Sequence, residues 1–123
     1  MQGDRLEHVS ELSDQDLYRL RRLSVGVSTQ PGFIYVNGDR YMRHNTNDKS
    51  TSLYRLRSMI DAGVLVGVSS DAPVTKPDPF IALHSACNRE TLSGAYLNPV
   101  ESISPSDFLR SITSSNAELI GGY

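Results

Sequence analysis

The sequence predicts an α/β fold built on a small parallel sheet, a partial TIM barrel of about three strand-helix units. Two observations predict it. Short strand-like stretches at 5–9, 25–30 and 64–70 alternate with segments that repeat apolar residues at helical spacing, and strands alternating with helices pair in parallel through right-handed crossovers. Three strands are too few for a doubly wound sheet and match about three-eighths of a (β/α)8 barrel.

Each element follows from local chemistry. "RLEHV" (5–9) is the first strand, with Leu6 and His8 on one face. A helix follows. Ser13 is its N-cap, Asp14 and Asp16 suit the positive end of the dipole, and Leu17, Leu20 and Leu23 form its stripe. "VGVSTQ" (25–30) is the second strand, ended by Pro31 and Gly32. The stretch from Gly32 to Asn47 is polar and aromatic and reads as a long loop; loops of that length in compact domains are often functional. "STSLYRLRSMIDAG" (50–63) reads as a helix through Leu53, Leu56 and Ile60, stopped by Gly63. "VLVGVSS" (64–70) is the third strand. "KPDPFIALHSACNRE" (76–90) is a helix capped by Asp78, with Pro79 first and Phe80, Leu83 and Cys87 turned inward. "SPSDFLRSITSSNAELI" (104–120) is the last, with Ser104 as cap and Asp107 at N3.

The bulk numbers narrow the function. The 123 residues make one unit, 1–123, and 38% hydrophobic with 21% charged residues argues against disorder. A net charge of -2 lacks the basic footprint of a nucleic-acid partner. The ten arginines read mostly as solvated. No apolar run approaches the ~20 residues of a membrane span. Cys87, the single cysteine, reads as a packed thiol in a reducing, cytoplasmic setting. A strand that begins only a few residues in and a stop at "IGGY" just after a helix lead to the expectation of a chain cut at both ends.

Chemistry concentrates at strand ends. In "VLVGVSSDAPV" (64–74), alternation puts Val64, Val66 and Val68 on one face, and Leu65, Gly67, Ser69 and Asp71 on the other. The second face shrinks and turns polar toward Asp71, as it should where a strand enters a barrel mouth. The alternative is that Asp71 caps the turn before Pro73. His8 also stands near a C-terminal strand end. An imidazole and a carboxylate on two parallel strands are both metal-competent, and a carboxylate beside a metal-activated water can accept its proton. Gln30 ends the second strand and would face the same mouth. Arg40 and Tyr41, with Tyr35 and Arg43, suit the predicted loop to a polar ligand. His44 and His84 read as solvated and packed, respectively.

In combination, "RLEHV", "TQPGF", "GDRYM", "YRLRSMIDAGV" and "GVSSDAPV" resemble the C-terminal part of the catalytic barrel in the amidohydrolase superfamily, in its family 3 branch. The resemblance implies strands 6 to 8 of a metal-dependent (β/α)8 hydrolase acting on C–N bonds of amides, cyclic amides or N-acyl groups. It implies that His8 is a metal ligand. Asp71 would bind or face the metal and act as base and then acid. Gln30, Arg40 and Tyr41 are the expected substrate contacts. A divalent ion, with zinc expected, would serve the full-length enzyme. The H-x-H pair of the first strand, a bridging acid or carboxylated lysine, the fifth-strand histidine and the flanking β-sandwich are not in these residues. The fragment is therefore expected to be inactive, to hold no metal at its incomplete site, and to self-associate through exposed sheet edges. The competing reading is a small, non-catalytic α/β binding or interaction module.

Overall fold

Three parallel strands form the sheet: β1 (Arg5–Glu7), β2 (Gly26–Thr29) and β3 (Val66–Val68), in the order β1-β2-β3. Leu6 pairs with Val27 and Val27 with Val66; Glu7 pairs with Ser28 and Ser28 with Gly67. The computed structural model describes residues 3–44 and 49–121. Six α-helices among these residues are α1 (Asp14–Leu23), α2 (Gly32–His44), α3 (Leu56–Asp61), α4 (Pro79–Asn88), α5 (Pro105–Ile112) and α6 (Ser114–Leu119). Short 3-10 turns lie at Lys49–Ser52 and Pro99–Glu101. The expected parallel α/β order holds, with shorter strands than 5–9, 25–30 and 64–70.

The valine face of β3 is buried, as its alternation requires. Val64, Val66 and Val68 join Val27, Leu20, Leu56, Met59 and Phe108 in the main core, with Cys87 packed at its margin. Burial raises the Cys87 thiol above its ordinary pKa. The opposite face carries Gly67, where a side chain would overlap Asn116 and Leu119. Glycine thus lets α6 lie against the sheet, and Asn116 Nδ2 donates to Val68 O at 2.8 Å.

Local capping chemistry starts three helices. Ser13 Oγ accepts from Asp16 N–H at 3.1 Å, Asp78 Oδ1 from Phe80 N–H at 2.9 Å and Ser104 Oγ from Asp107 N–H at 3.0 Å. Each bond satisfies an amide with no intrahelical acceptor.

Several expectations need correction. The predicted loop from Gly32 is helix α2 as far as His44; residues 45–47 lie outside the described residues. Ile34 and Gly38 are buried, and Phe33, Tyr41 and Met42 pack on a second cluster of Ile34, Leu53, Tyr54 and Leu97. That is helical spacing interrupted by Gly38, which admits the Thr91 side chain: a Cβ at 38 would lie 2.5 Å from Thr91 Cγ2. The 50–63 helix is confined to Leu56–Asp61, because Leu53 leaves the helix to bridge Glu11. Phe80 is 74% exposed rather than inward; Ala82, Ser85 and Ala86 fill the buried side of α4. The last helix breaks at Thr113, whose φ of -119° and ψ of -92° are not helical. Arg89 is fully buried, not solvated.

Two carboxylates make the fold acid-sensitive. On α2, the Ser93 hydroxyl and then the Thr91 hydroxyl hold Asp39 below its ordinary value of 3.8. On α5, Ser104 and then the Arg57 guanidinium lower Asp107 in the same way. A depressed carboxyl contributes stability that is present above its unfolded value and lost as pH falls through its folded value. The melting temperature should therefore drop as pH goes below 3.8, and the double variant Asp39→Asn, Asp107→Asn should show a flatter acid limb. An unchanged acid limb in thermal denaturation would remove this account.

Candidate functional site

The C-terminal ends of β1 and β3 each finish in an unusual backbone conformation. Strand β1 stops at Glu7. His8 N–H still donates to Ser28 O at 2.8 Å, and Val9 N–H then turns back to Glu7 O at 3.0 Å. This closes a three-residue turn centred on His8, whose φ is +71°, and Val9 follows at +47°. Positive φ is tolerable for His and a genuine outlier for β-branched Val. The turn, not strand alternation, sets the direction of His8. The residue is exposed.

Beyond β3 the ladder continues through Ser69 N–H to Thr29 O at 3.0 Å. Asp71 then takes φ +61°, and Val74 N–H donates to Asp71 O at 2.8 Å across the cis Ala72–Pro73 bond. Ser70 Oγ accepts from Ala72 N–H at 3.2 Å, and the Thr75 hydroxyl donates to Ser70 O. An Asx-turn at Asp71 would need an amide hydrogen at position 73, which is proline. Ser70 does the capping, and the half-buried Asp71 carboxylate makes no hydrogen bond or ion pair among the described residues. Because all three strands run parallel and in register, residues 8 and 71 both follow C-terminal strand ends, with β2 between their strands.

Gln30 follows β2 and is only 3% exposed. Its Nε2 donates to Ser69 Oγ at 2.9 Å, while its Oε1 is buried with no partner among the described residues. It ties the ends of β2 and β3 together beneath the surface. Arg40 and Tyr41 stand elsewhere, on α2. The Arg40 guanidinium lies 5.7 Å from the Tyr41 ring centre, and Tyr41 Oη is 3.4 Å from Tyr54 Oη. Burial, then the Tyr41 hydroxyl, raises the Tyr54 phenol. Arg40 and Tyr41 border a depression of about 440 Å³ with Glu11 and His44. A second cavity, about 290 Å³, opens beside Ser69 and Ser70; the two share no lining residue. His84 is half-exposed rather than packed, with Nε2 3.0 Å from Glu90 Oε2 and its ring edge-on to Tyr35.

The donors His8 and Asp71 are of the kind that hold a divalent ion, but a catalytic zinc takes three protein ligands. Among the described residues no group of three or more His, Cys, Asp and Glu side chains is placed to hold a metal. Sequence reasoning placed Ser69 on the face of Asp71 without giving it a role and passed over Ser70, yet Ser69 holds Gln30 and Ser70 caps the turn at Asp71. The polar doublet directly after the valine run was the available signal. No described helix is long and apolar enough to cross a membrane.

Comparison with known proteins agrees with the motifs. The pattern of the amidohydrolase family matches residues 1–122. An N-substituted formamide deformylase of Arthrobacter pascens is 32% identical over 118 residues, 95% of this chain and 22% of that protein. An uncharacterised metal-dependent hydrolase from Pyrococcus horikoshii OT3 superposes with a TM-score of 0.82 at 28% identity, over 94% of this chain and 24% of that one. Its counterpart from Pyrococcus furiosus gives 0.81 at 28% identity, over 94% and 23%. The chain spans about a quarter or less of the length of these relatives. Because the family pattern covers almost every residue, the chain belongs to the amidohydrolase family.

Proposed function

We propose that these residues form the last three βα units, strands 6 to 8, of a metal-dependent (β/α)8 hydrolase that cleaves non-peptide C–N bonds of small amides, cyclic amides or N-acyl compounds. The observation that carries this reading is the pair His8 and Asp71. Both follow C-terminal ends of parallel strands, both hold positive φ, and neither functional group is spent on a protein partner among the described residues. Strained backbone of this kind collects at functional sites.

A divalent ion, zinc in this reading, supplies an activated water when bound. His8 offers a ring nitrogen to that ion, with the remaining ligands coming from outside these residues. Asp71 takes a proton from the attacking water and returns it to the leaving nitrogen. Gln30 positions the rim through Ser69. Arg40 and Tyr41, at the separate depression beside Glu11 and His44, contact only a part of the substrate that reaches away from the reacting bond. Residues 1–123 alone lack the ligands for turnover and associate through exposed sheet edges. The single thiol fits a cytoplasmic setting.

The test is metal removal from the full-length protein carrying these residues. Hydrolysis of simple N-substituted amides should be abolished by a chelator and restored by zinc. His8→Ala should lower metal occupancy at least about tenfold, since loss of mere outer-shell support already costs ~10–100-fold. Undiminished turnover by metal-free protein would overturn the reading.

A further inference from the structure

We propose that the cavity between α2 and α4, beside the Asp71 turn, is a subsite for an uncharged, apolar substituent of the amide substrate. The inference rests on the hydrolase reading above and deepens it.

Position is the first argument. Helix α2 begins directly after β2, and the first turns of α4 line one cavity with Ser69 and Ser70, the residues that follow β3. Ligands in parallel α/β folds bind outside the C-terminal ends of the strands. The cavity is lined there by Ser69 and Ser70, which lead by peptide bonds into Asp71, and by Val74, whose amide closes the Asp71 turn.

The lining is the second argument. Tyr35, Val36, Val74, Ile81 and Ala82 give it apolar walls. Val36 is 51% and Val74 70% exposed, so apolar surface is left open around an apolar hollow. Lys76 and Asp78 also border it. Their charges oppose each other, and Asp78 already accepts from Phe80 N–H, so the cavity offers no net charge to draw in an ion. Its volume of about 290 Å³ is at the lower edge for whole ligands, roughly 300–1,000 Å³. That suits one substituent, with the rest of the substrate elsewhere.

Polarity along the cavity is the third argument. Ser69 Oγ accepts from Gln30 and Ser70 Oγ from Ala72 N–H. Each hydroxyl keeps a proton to donate, at the end that leads to Asp71. An amide carbonyl at the serine end and an alkyl or aryl group toward Tyr35 and Ile81 would satisfy both halves.

The experiment uses N-(2-phenylethyl)acetamide, with N-methylacetamide as the small probe. Titrated into this chain, the phenylethyl probe should give saturable methyl shifts in NMR at Val36, Val74 and Ile81, and the methyl probe should not. Val36→Trp and, separately, Val74→Trp fill the hollow from exposed positions and should weaken that binding at least tenfold. In the full-length protein they should lower the ratio of kcat/KM for the phenylethyl over the methyl amide by a similar factor. No saturable shifts, or equal loss on both amides, overturns the subsite. Saturable binding with no turnover of either amide by the full-length protein overturns the hydrolase reading instead, and with it the assignment of this cavity to a substrate.

Discussion

Asp71→Asn in the full-length protein is expected to lower kcat/KM for amide hydrolysis by about 10²–10⁴, the usual contribution of a positioned acid-base group. The melting temperature should hardly move. Asparagine matches aspartate in shape and is among the few residues that tolerate the φ of +61° found here. The turn survives because it is made by other groups. Val74 N–H bonds the backbone oxygen of Asp71, and Ser70, not Asp71, accepts from Ala72 N–H. With no hydrogen bond or ion pair of its own to lose among the described residues, the carboxylate can be neutralised without unpairing a partner. A fall in activity would therefore report on proton transfer. Paired measurements of kcat/KM and thermal unfolding decide it: activity retained at the parental level removes Asp71 from the reaction.

The parts of this structure legible in the sequence are those set by neighbours in the chain. Ser13, Asp78 and Ser104 cap helices because a short oxygen-bearing side chain meets amides two or three residues on. The valines of 64–68 announce a buried strand by their alternation. Position at a strand's end, which brought attention to His8 and Asp71, is equally local. What escaped reading depends on distant partners. Helix α2 was hidden by Gly38 and its polar neighbours, and Gly38 makes sense only when Thr91, 53 residues away, is packed on it. Gln30 was expected to face an open mouth; a serine 39 residues along the chain holds its amide below the surface. Arg40 and Tyr41 were grouped with the mouth because the segment looked like a covering loop. As a helix it carries them to another depression. Phe80 sits in the first turn of α4, where the amphipathic stripe has not yet reached the core.

Arg89→Met should destabilise the chain by about 3–5 kcal/mol, because it leaves three buried carbonyls without a donor. Arg89 is fully buried at the end of α4. Its Nε donates to Leu97 O at 2.9 Å, Nη1 to Tyr54 O at 2.6 Å and Nη2 to Leu53 O at 2.9 Å. One planar cation thus satisfies three carbonyls from two separate segments, which no lysine can do with the same geometry. Burial pushes its pKa down to about 10, with the Glu101 carboxylate opposing that shift, so it remains charged at neutral pH. Methionine fills much of the space and offers no donor, leaving three buried acceptors unpaired at about 1–3 kcal/mol each before relaxation. Both residues bear the same backbone strain at φ +59°, so the difference isolates the side chain. Glu101 is not orphaned by the change, because Ser58 N–H at 2.8 Å and Arg55 at 3.4 Å still hold it. Since whole domains are stable by only about 5–15 kcal/mol, the urea midpoint should fall steeply with little change in slope. A shift under about 1 kcal/mol would mean that water or a rearranged backbone satisfies these carbonyls, and that the second cluster stands without its central cation.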